Sequence, residues 1–214
     1  MRKVLIVGAG GWGRQVLDMM QRTPGYGDAW TPTGFLDTRA HMLDGFGYAL
    51  KVVGDPLTYA PGDDEIFVAA IGDPRARQRF VQPLLDRGAR FMNIGLEPYD
   101  NSTIRLGHGA VSEHHTRIGV DTHIGDFANI HTQSVIGHDV RIGRFAQISA
   151  MVFIGGNARI GDFALINPHA TIVPGIEIGE GATVGAGAVV VKNVPAGATV
   201  FGNPARIIFQ KDPE

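Results

Sequence analysis

The chain has 214 residues, a net charge of −2 at pH 7 and 19% charged residues. That length allows two small domains, or one domain and a repeat array, and that charge excludes a broad basic surface for nucleic acid. Cysteine is absent, which excludes disulfides, thiolate metal sites and a cysteine nucleophile.

The first apolar run, Val4-Leu5-Ile6-Val7 after Met1-Arg2-Lys3, is too short for a signal peptide and reads as a strand. No apolar stretch approaches the ~20 residues that span a bilayer. A soluble, cytoplasmic protein without membrane partners is predicted. The strand leads into Gly8-Ala9-Gly10-Gly11-Trp12-Gly13-Arg14, which opens a helix to about Met20. Glycine there lets the backbone approach a phosphate, and a helix N-terminus supplies free N–H donors.

Short strands are expected at Gly34–Asp37, at Ile66–Ile71 and near Phe91, with a helix from about Pro74 to Arg87. That helix would place Arg75, Arg77 and Arg79 on a solvated face. The alternation predicts a small parallel α/β sheet, a Rossmann-like nucleotide-binding domain over residues 1–96. The glycine turn with Asp37 on a ribose hydroxyl would suit NAD. Only about 95 residues precede the next pattern, so a mononucleotide-sized ligand fits better. A tight turn without any ligand is the bland reading.

From Ile118 an aliphatic residue recurs at every sixth position through Ile124, Ile130, Ile136 and onward to Val184 and Val190. Two residues before each lies a small or β-branched residue, such as Ala128, Ser134 or Ala146, and many are followed by glycine. A helix needs an apolar period near 3.6 and a simple strand a period of 2, so this period fits neither. It fits a chain that turns a corner every six residues, with three short strands in a coil of about 18. The large aliphatic points inward, the small residue sits near the corner, and glycine permits the bend. Coils stacked at ~4.8 Å make a prism about 24 Å tall over five coils, from about Ile104 to Val194. The 30 glycines, about twice the ordinary share, follow from this spacing. The second domain is therefore residues 97–214.

The repeat resembles the hexapeptide-repeat acyltransferases, and that resemblance implies a left-handed parallel β-helix assembled as a homotrimer with active sites between subunits. A trimer is reasonable physically, because a prism face carrying Phe127, Phe145, Met151, Phe153 and Phe163 would otherwise expose apolar area. The order of parts is more specific. A glycine-rich turn, then Phe35-Leu36-Asp37, then Ala70-Ile71-Gly72-Asp73, then the repeats, resembles the group of sialic-acid O-acetyltransferase-like and bacillosamine- or perosamine-type nucleotide-sugar N-acetyltransferases. The resemblance implies that the N-terminal domain holds a nucleotide-linked amino sugar, through Gly8, Gly10, Gly11, Trp12, Gly13 and Asp37. It implies acetyl-CoA as co-substrate, lying between adjacent β-helices, and no metal.

Acetyl transfer from a thioester needs an acceptor freed of its proton and a donor for the developing oxyanion. Without cysteine, direct attack by the acceptor is the simplest route, with His as base. Most of the eight histidines (His41, His108, His114, His115, His123, His131, His169) read as solvated or interfacial. His138 stands in Ile136-Gly137-His138-Asp139-Val140, which resembles the group's catalytic His followed by an acidic residue. The resemblance makes His138 the general base and Asp139 its orienting partner. Asp139 could reach the ring only by a bent local path or across subunits, since neighbours on a strand face opposite ways. A coil period of 18 puts Gly156 directly above His138, leaving room for a thioester, and the resemblance makes its N–H a thioester donor. The late coils around Gly185, Ala186 and Lys192 resemble the region receiving the pantetheine and adenine of acetyl-CoA, and Arg206 is a second candidate for a phosphate.

Trp12, Thr38 and Gln147 stand where the group often has His, a second Asp and a second His. The main rival reading is O-acetylation of a sugar hydroxyl. More distant are a non-catalytic nucleotide-sugar-binding protein and a γ-type carbonic anhydrase, whose ligands have a fixed spacing. No two histidines here are five residues apart.

Overall fold

A computed structural model describes residues 1–95 and 103–210. The chain forms two compact units, Met1–Gly95 and Leu96–Glu214.

The first unit is a four-stranded parallel sheet flanked by two helices. Its elements are β1 (Arg2–Val7), α1 (Gly11–Met20), β2 (Trp30–Leu36), β3 (Val52–Gly54), β4 (Glu65–Ala69) and α2 (Pro74–Asp86). The strands lie in the order β3-β2-β1-β4. The chain reverses direction across the sheet between β1 and β4, which places a crevice at their carboxyl ends. Leu5, Val7, Leu36, Phe67 and Leu84 pack together under α2. Strand β2 begins four residues earlier than the Gly34 start read from sequence, because it accommodates Pro32. The register slips between Val4 and Leu5 opposite Pro32–Gly34, and an irregularity of this kind is where a strand tolerates proline. The expected strand near Phe91 is a single bridge to Phe67.

Helix α2 starts on Asp73, whose carboxylate accepts from the N–H of Ala76 at 2.7 Å, and has Pro74 in its first turn. Arg77 does not lie on a solvated face. It is fully buried, on the same side as Val81 and Leu84, and its guanidinium donates to the carbonyls of Ile71 (2.6 Å) and Gly72 (3.2 Å).

The second unit is a parallel β-helix of two-residue strands. The first face stacks Arg105–Leu106, His123–Ile124, Arg141–Ile142, Arg159–Ile160 and Glu177–Ile178. The second stacks Val111–Ser112, Asn129–Ile130, Gln147–Ile148, Leu165–Ile166 and Thr183–Val184, and is extended by Ala198–Phe201 and Arg206–Gln210. The third stacks Arg117–Ile118, Val135–Ile136, Phe153–Ile154, Thr171–Ile172 and Val189–Val190. Within a face each residue pairs with the one 18 positions on, as Ile136 does with Ile118 and Ile154. The repeated aliphatics and the small residues between them fill the interior.

The glycine that follows each aliphatic does not make the bend. The left-handed backbone falls two residues after the glycine position, on His115, Asp121 and every sixth residue to His169. The glycines serve close stacking instead: a Cβ on Gly137 would lie 2.5 Å from the backbone N of Gly156, and one on Gly143 would lie 2.5 Å from that of Asp162.

The large apolar residues do not share one face. Phe127, Phe145 and Phe163 stack along the edge between the first and second faces, with centroids 5.1 and 5.3 Å apart. Met151 lies on the edge between the second and third faces, and Phe153 on the third face, both exposed.

Candidate active site

In the second unit, the edge between the third and first faces carries Val120, His138, Gly156 and Pro174 one above another, at the coil period. His138 is exposed, and its Nδ1 lies 2.7 Å from Oδ2 of Asp139. Asp139 has a φ of 57°. This left-handed turn swings its carboxylate back to the preceding ring, so the contact forms within one chain and by the bent local path. With Nδ1 facing a carboxylate, the proton is favoured on Nδ1 and the lone pair on Nε2. Nε2 faces Gly156, where a Cβ would stand 2.7 Å from it. The Gly156 N–H has no acceptor among the described residues. The edge thus presents a base nitrogen, a carboxylate behind it and an uncommitted N–H donor together.

The other residues expected around acetyl-CoA are not gathered there by one chain. Gly185 and Ala186 follow Thr183–Val184, on the edge between the second and third faces. Lys192 follows Val189–Val190 on the same side as His138, three coils or about 14 Å further along. Arg206 opens the last strand of the second face, exposed. Gln147 lies on the second face, opposite the His138 edge, where it is buried and accepts from Nδ2 of Asn129 at 3.2 Å.

Among the remaining histidines, His131 is not a solvated residue. Its Nδ1 lies 3.0 Å from Oε2 of the buried Glu113, which also accepts from the N–H of Thr132 at 2.9 Å. Burial alone would raise the Glu113 pKa. The hydrogen bonds from the His131 ring and the Thr132 N–H, with the charges of His131 and His114, outweigh it and hold the carboxyl below its usual value. Among the described residues no group of three or more His, Asp or Glu side chains is arranged to hold a metal ion. No described helix is long and apolar enough to cross a membrane.

In the first unit, a cavity of about 400 Å³ opens over the carboxyl ends of β1, β2 and β4. Its lining includes Gly8, Gly10, Gly11, Trp12, Asp37, Arg39, Ile71, Gly72 and Phe80. Gly8 has a φ of 104°, and a Cβ there would lie 2.6 Å from the carbonyl of Ala70, so glycine brings the two loops together. Gly10 caps α1 without any side-chain bond, and a helix N-terminus of this kind favours an anionic ligand. Gly13 is the exception among the expected residues. It faces the fold, and a side chain on it would run into the Gly8 carbonyl. Asp37 lines the cavity but is buried. Its Oδ2 accepts from the N–H of Ala9 (3.0 Å) and from Nη2 of Arg39 (3.1 Å), and its Oδ1 from the N–H and Nε of Arg39 (3.0 and 2.9 Å). Burial alone would raise its pKa, but the Arg39 side chain and these N–H groups lower it.

A parallel β-helix of two-residue strands on a six-residue period, preceded by a small parallel α/β unit, is the architecture of a hexapeptide-repeat protein. The profile of the PglD N-terminal domain matches residues 3–84, and that of the bacterial transferase hexapeptide, six repeats, matches residues 157–192. The acetyltransferase domain of PglB from Neisseria gonorrhoeae superposes with a TM-score of 0.84 at 28% identity, over 97% of this chain and 100% of that one. The same domain has also been solved with acetyl coenzyme A, at 27% identity and a TM-score of 0.84, over 97% and 99% of the two chains. PerB from Caulobacter crescentus, solved with CoA and GDP-perosamine, is 30% identical with a TM-score of 0.78, over 97% of each chain. No curated protein matched the sequence. The chain belongs to the hexapeptide-repeat acetyltransferases that carry a PglD-type N-terminal domain.

Proposed function

We propose that this acetyltransferase moves the acetyl group of acetyl-CoA to the amine of a nucleotide-linked amino sugar, with His138 as general base. The observation that carries the reading is the His138–Asp139 contact of 2.7 Å, with Nε2 directed at the space that Gly156 leaves open. The nucleotide belongs in the cavity of the first unit, against Gly8, Gly10, Gly11 and Trp12, where an uncapped helix N-terminus favours phosphate. The thioester belongs against Gly156.

The chemistry follows from those atoms. The amine attacks the thioester carbonyl, and the proton it sheds passes to Nε2 of His138 as the tetrahedral intermediate forms. Asp139 holds the Nδ1–H tautomer and offsets the positive charge that the ring acquires. The Gly156 N–H donates to the carbonyl oxygen as it becomes an oxyanion. Collapse expels the CoA thiolate, which takes up a proton. Gly185 and Ala186 stand on another edge, and in this reading a second copy of the chain brings them to the same acetyl-CoA. The assembly we propose is a closed homotrimer, with each site shared between neighbours.

The test is thiol release from acetyl-CoA against a panel of nucleotide-linked 4-amino sugars, with His138→Ala beside the wild type. Turnover on one sugar, reduced ~10²- to 10⁴-fold in the variant, is expected. Wild-type silence across the panel with acetyl-CoA still bound would move the acceptor to a hydroxyl. Undiminished turnover in the variant would remove His138 as the base.

A further inference from the structure

Asp37 stands at the end of β2, where a carboxylate in a nucleotide-binding sheet ordinarily takes a ribose hydroxyl. Here it is saturated. A carboxylate offers about four lone-pair sites, and Asp37 fills them with the N–H of Ala9, the N–H of Arg39, and Nε and Nη2 of the Arg39 guanidinium. A ligand hydroxyl could bind it only by displacing Arg39.

Arg39 is in the opposite condition. Its side chain is 63% exposed at the cavity wall, against 6% for Asp37. The ion pair uses the Nε edge of the guanidinium. Both N–H groups of Nη1 and one of Nη2 remain, none with an acceptor among the described residues, and the far edge carries one from each nitrogen. That edge offers two parallel donors on a planar group whose orientation Asp37 already fixes, so little side-chain freedom remains to be lost on binding. The other charge lining the cavity, that of Asp37, is already matched.

We propose that Arg39 is the residue that reads the ligand in this cavity and that Asp37 only positions it. Its free edge takes two adjacent acceptor atoms from the nucleotide portion of the substrate. Two oxygens of a phosphate have that arrangement, and so do O6 and N7 of guanine. Uracil does not, because N3–H separates its two carbonyls, and adenine sets an amino donor beside N7. The inference rests on the nucleotide-sugar reading above and adds which side chain selects the nucleotide.

The experiment is calorimetric titration of the full chain with GDP, UDP and ADP, for wild type, Arg39→Ala and Arg39→Lys. It is joined by steady-state kinetics with whichever nucleotide sugar turns over. Arg39→Ala is expected to weaken binding ~10- to 100-fold, the range for hydrogen bonds to a charged group. It should raise KM for the nucleotide sugar and leave kcat and the KM for acetyl-CoA unchanged. Arg39→Lys keeps a charge for Asp37 and so guards against simple unfolding. It should recover only part of the affinity, since an ammonium cannot span two acceptors. Equal losses for all three nucleotides assign the contact to phosphate, and a loss confined to GDP assigns it to guanine. If Arg39→Ala binds as well as wild type or better, the freed Asp37 is the ligand contact and the proposal is wrong. If the wild type binds none of the three, the nucleotide-sugar reading itself fails, whatever the variants do.

Discussion

Gly156→Ala separates the chemistry of the His138 edge from its stability. The added methyl would stand 2.7 Å from Nε2, 2.9 Å from Cε1 and 3.1 Å from Cδ2 of His138. An ordinary contact begins near 3.4 Å, so the ring must retreat by about 0.7 Å, a displacement of the size that costs ~10²-fold when reacting groups are misplaced. The imidazole is the free end of an exposed side chain and can retreat cheaply. Gly156 is not among the glycines with positive φ, so alanine adds no backbone strain and removes some freedom from the unfolded chain. The expected result is a fall in kcat of about 10²-fold with an unchanged or slightly raised Tm, read by thiol release and thermal unfolding on one preparation. Full activity in the variant would refute the reasoning, because a base on Nε2 could not tolerate that methyl.

Asp139→Asn should lower kcat by about 10-fold or more while changing stability by under about 1 kcal/mol, since the pair is half-exposed; comparing kcat with a urea midpoint checks both. Gly143→Ala puts a Cβ 2.5 Å from the backbone N and 2.6 Å from Oδ1 of Asp162 and should destabilise by about 2–4 kcal/mol. Asp121→Gly, at a left-handed corner, sets relief of that conformation against added freedom in the unfolded chain and should change stability by under about 1 kcal/mol in either direction, and the reverse order in thermal unfolding would contradict the roles given to the two positions. Glu113→Gln tests the buried pair with His131. A carboxyl held below its usual value contributes stability that is fully present above the unfolded pKa and is lost as pH falls through the folded one. The gap in stability between wild type and variant should therefore hold at neutral pH and close below about pH 4, and a gap unchanged to pH 3 would exclude the linkage.

The β-helix was legible because its signal is a period, and every coil repeats it. The two helices were legible from the glycine turn and from Asp73-Pro74. What escaped were features set by neighbours far away in sequence. The glycine after each aliphatic looks like a hinge in one dimension, and only stacking reveals that its missing side chain is filled by the next coil. Strand β3 is three residues on a sheet edge, too short to carry a pattern. Arg77 belonged to a run of arginines at spacing two, and its burial follows from its place on α2 beside Val81 and Leu84. Arg39 escaped because arginine in a polar loop is unremarkable by composition. Its signal was the spacing Asp37-x-Arg39 directly after a strand, which lets a guanidinium fold back on the carboxylate. For Asp139 the sequence left two routes to the His138 ring, a bent local path or a neighbouring subunit, and only the left-handed turn at Asp139 chooses the local one.

That turn belongs to a series. From His115 to His169 the corners of the β-helix are left-handed residues with side chains, while the outer corners fall to Gly109 at one end and Gly175, Gly181 and Gly187 at the other. A side-chain-bearing residue in this conformation costs on the order of 1 kcal/mol. At Asp139 it is held by the coils on either side: its own N–H donates to the carbonyl of Val120, and the carbonyl of His138 accepts from the N–H of Asn157. The conformation that aims its carboxylate is thus maintained from outside its own coil, so removing the coil that carries Val120 would slacken the His138 site without touching a residue of it.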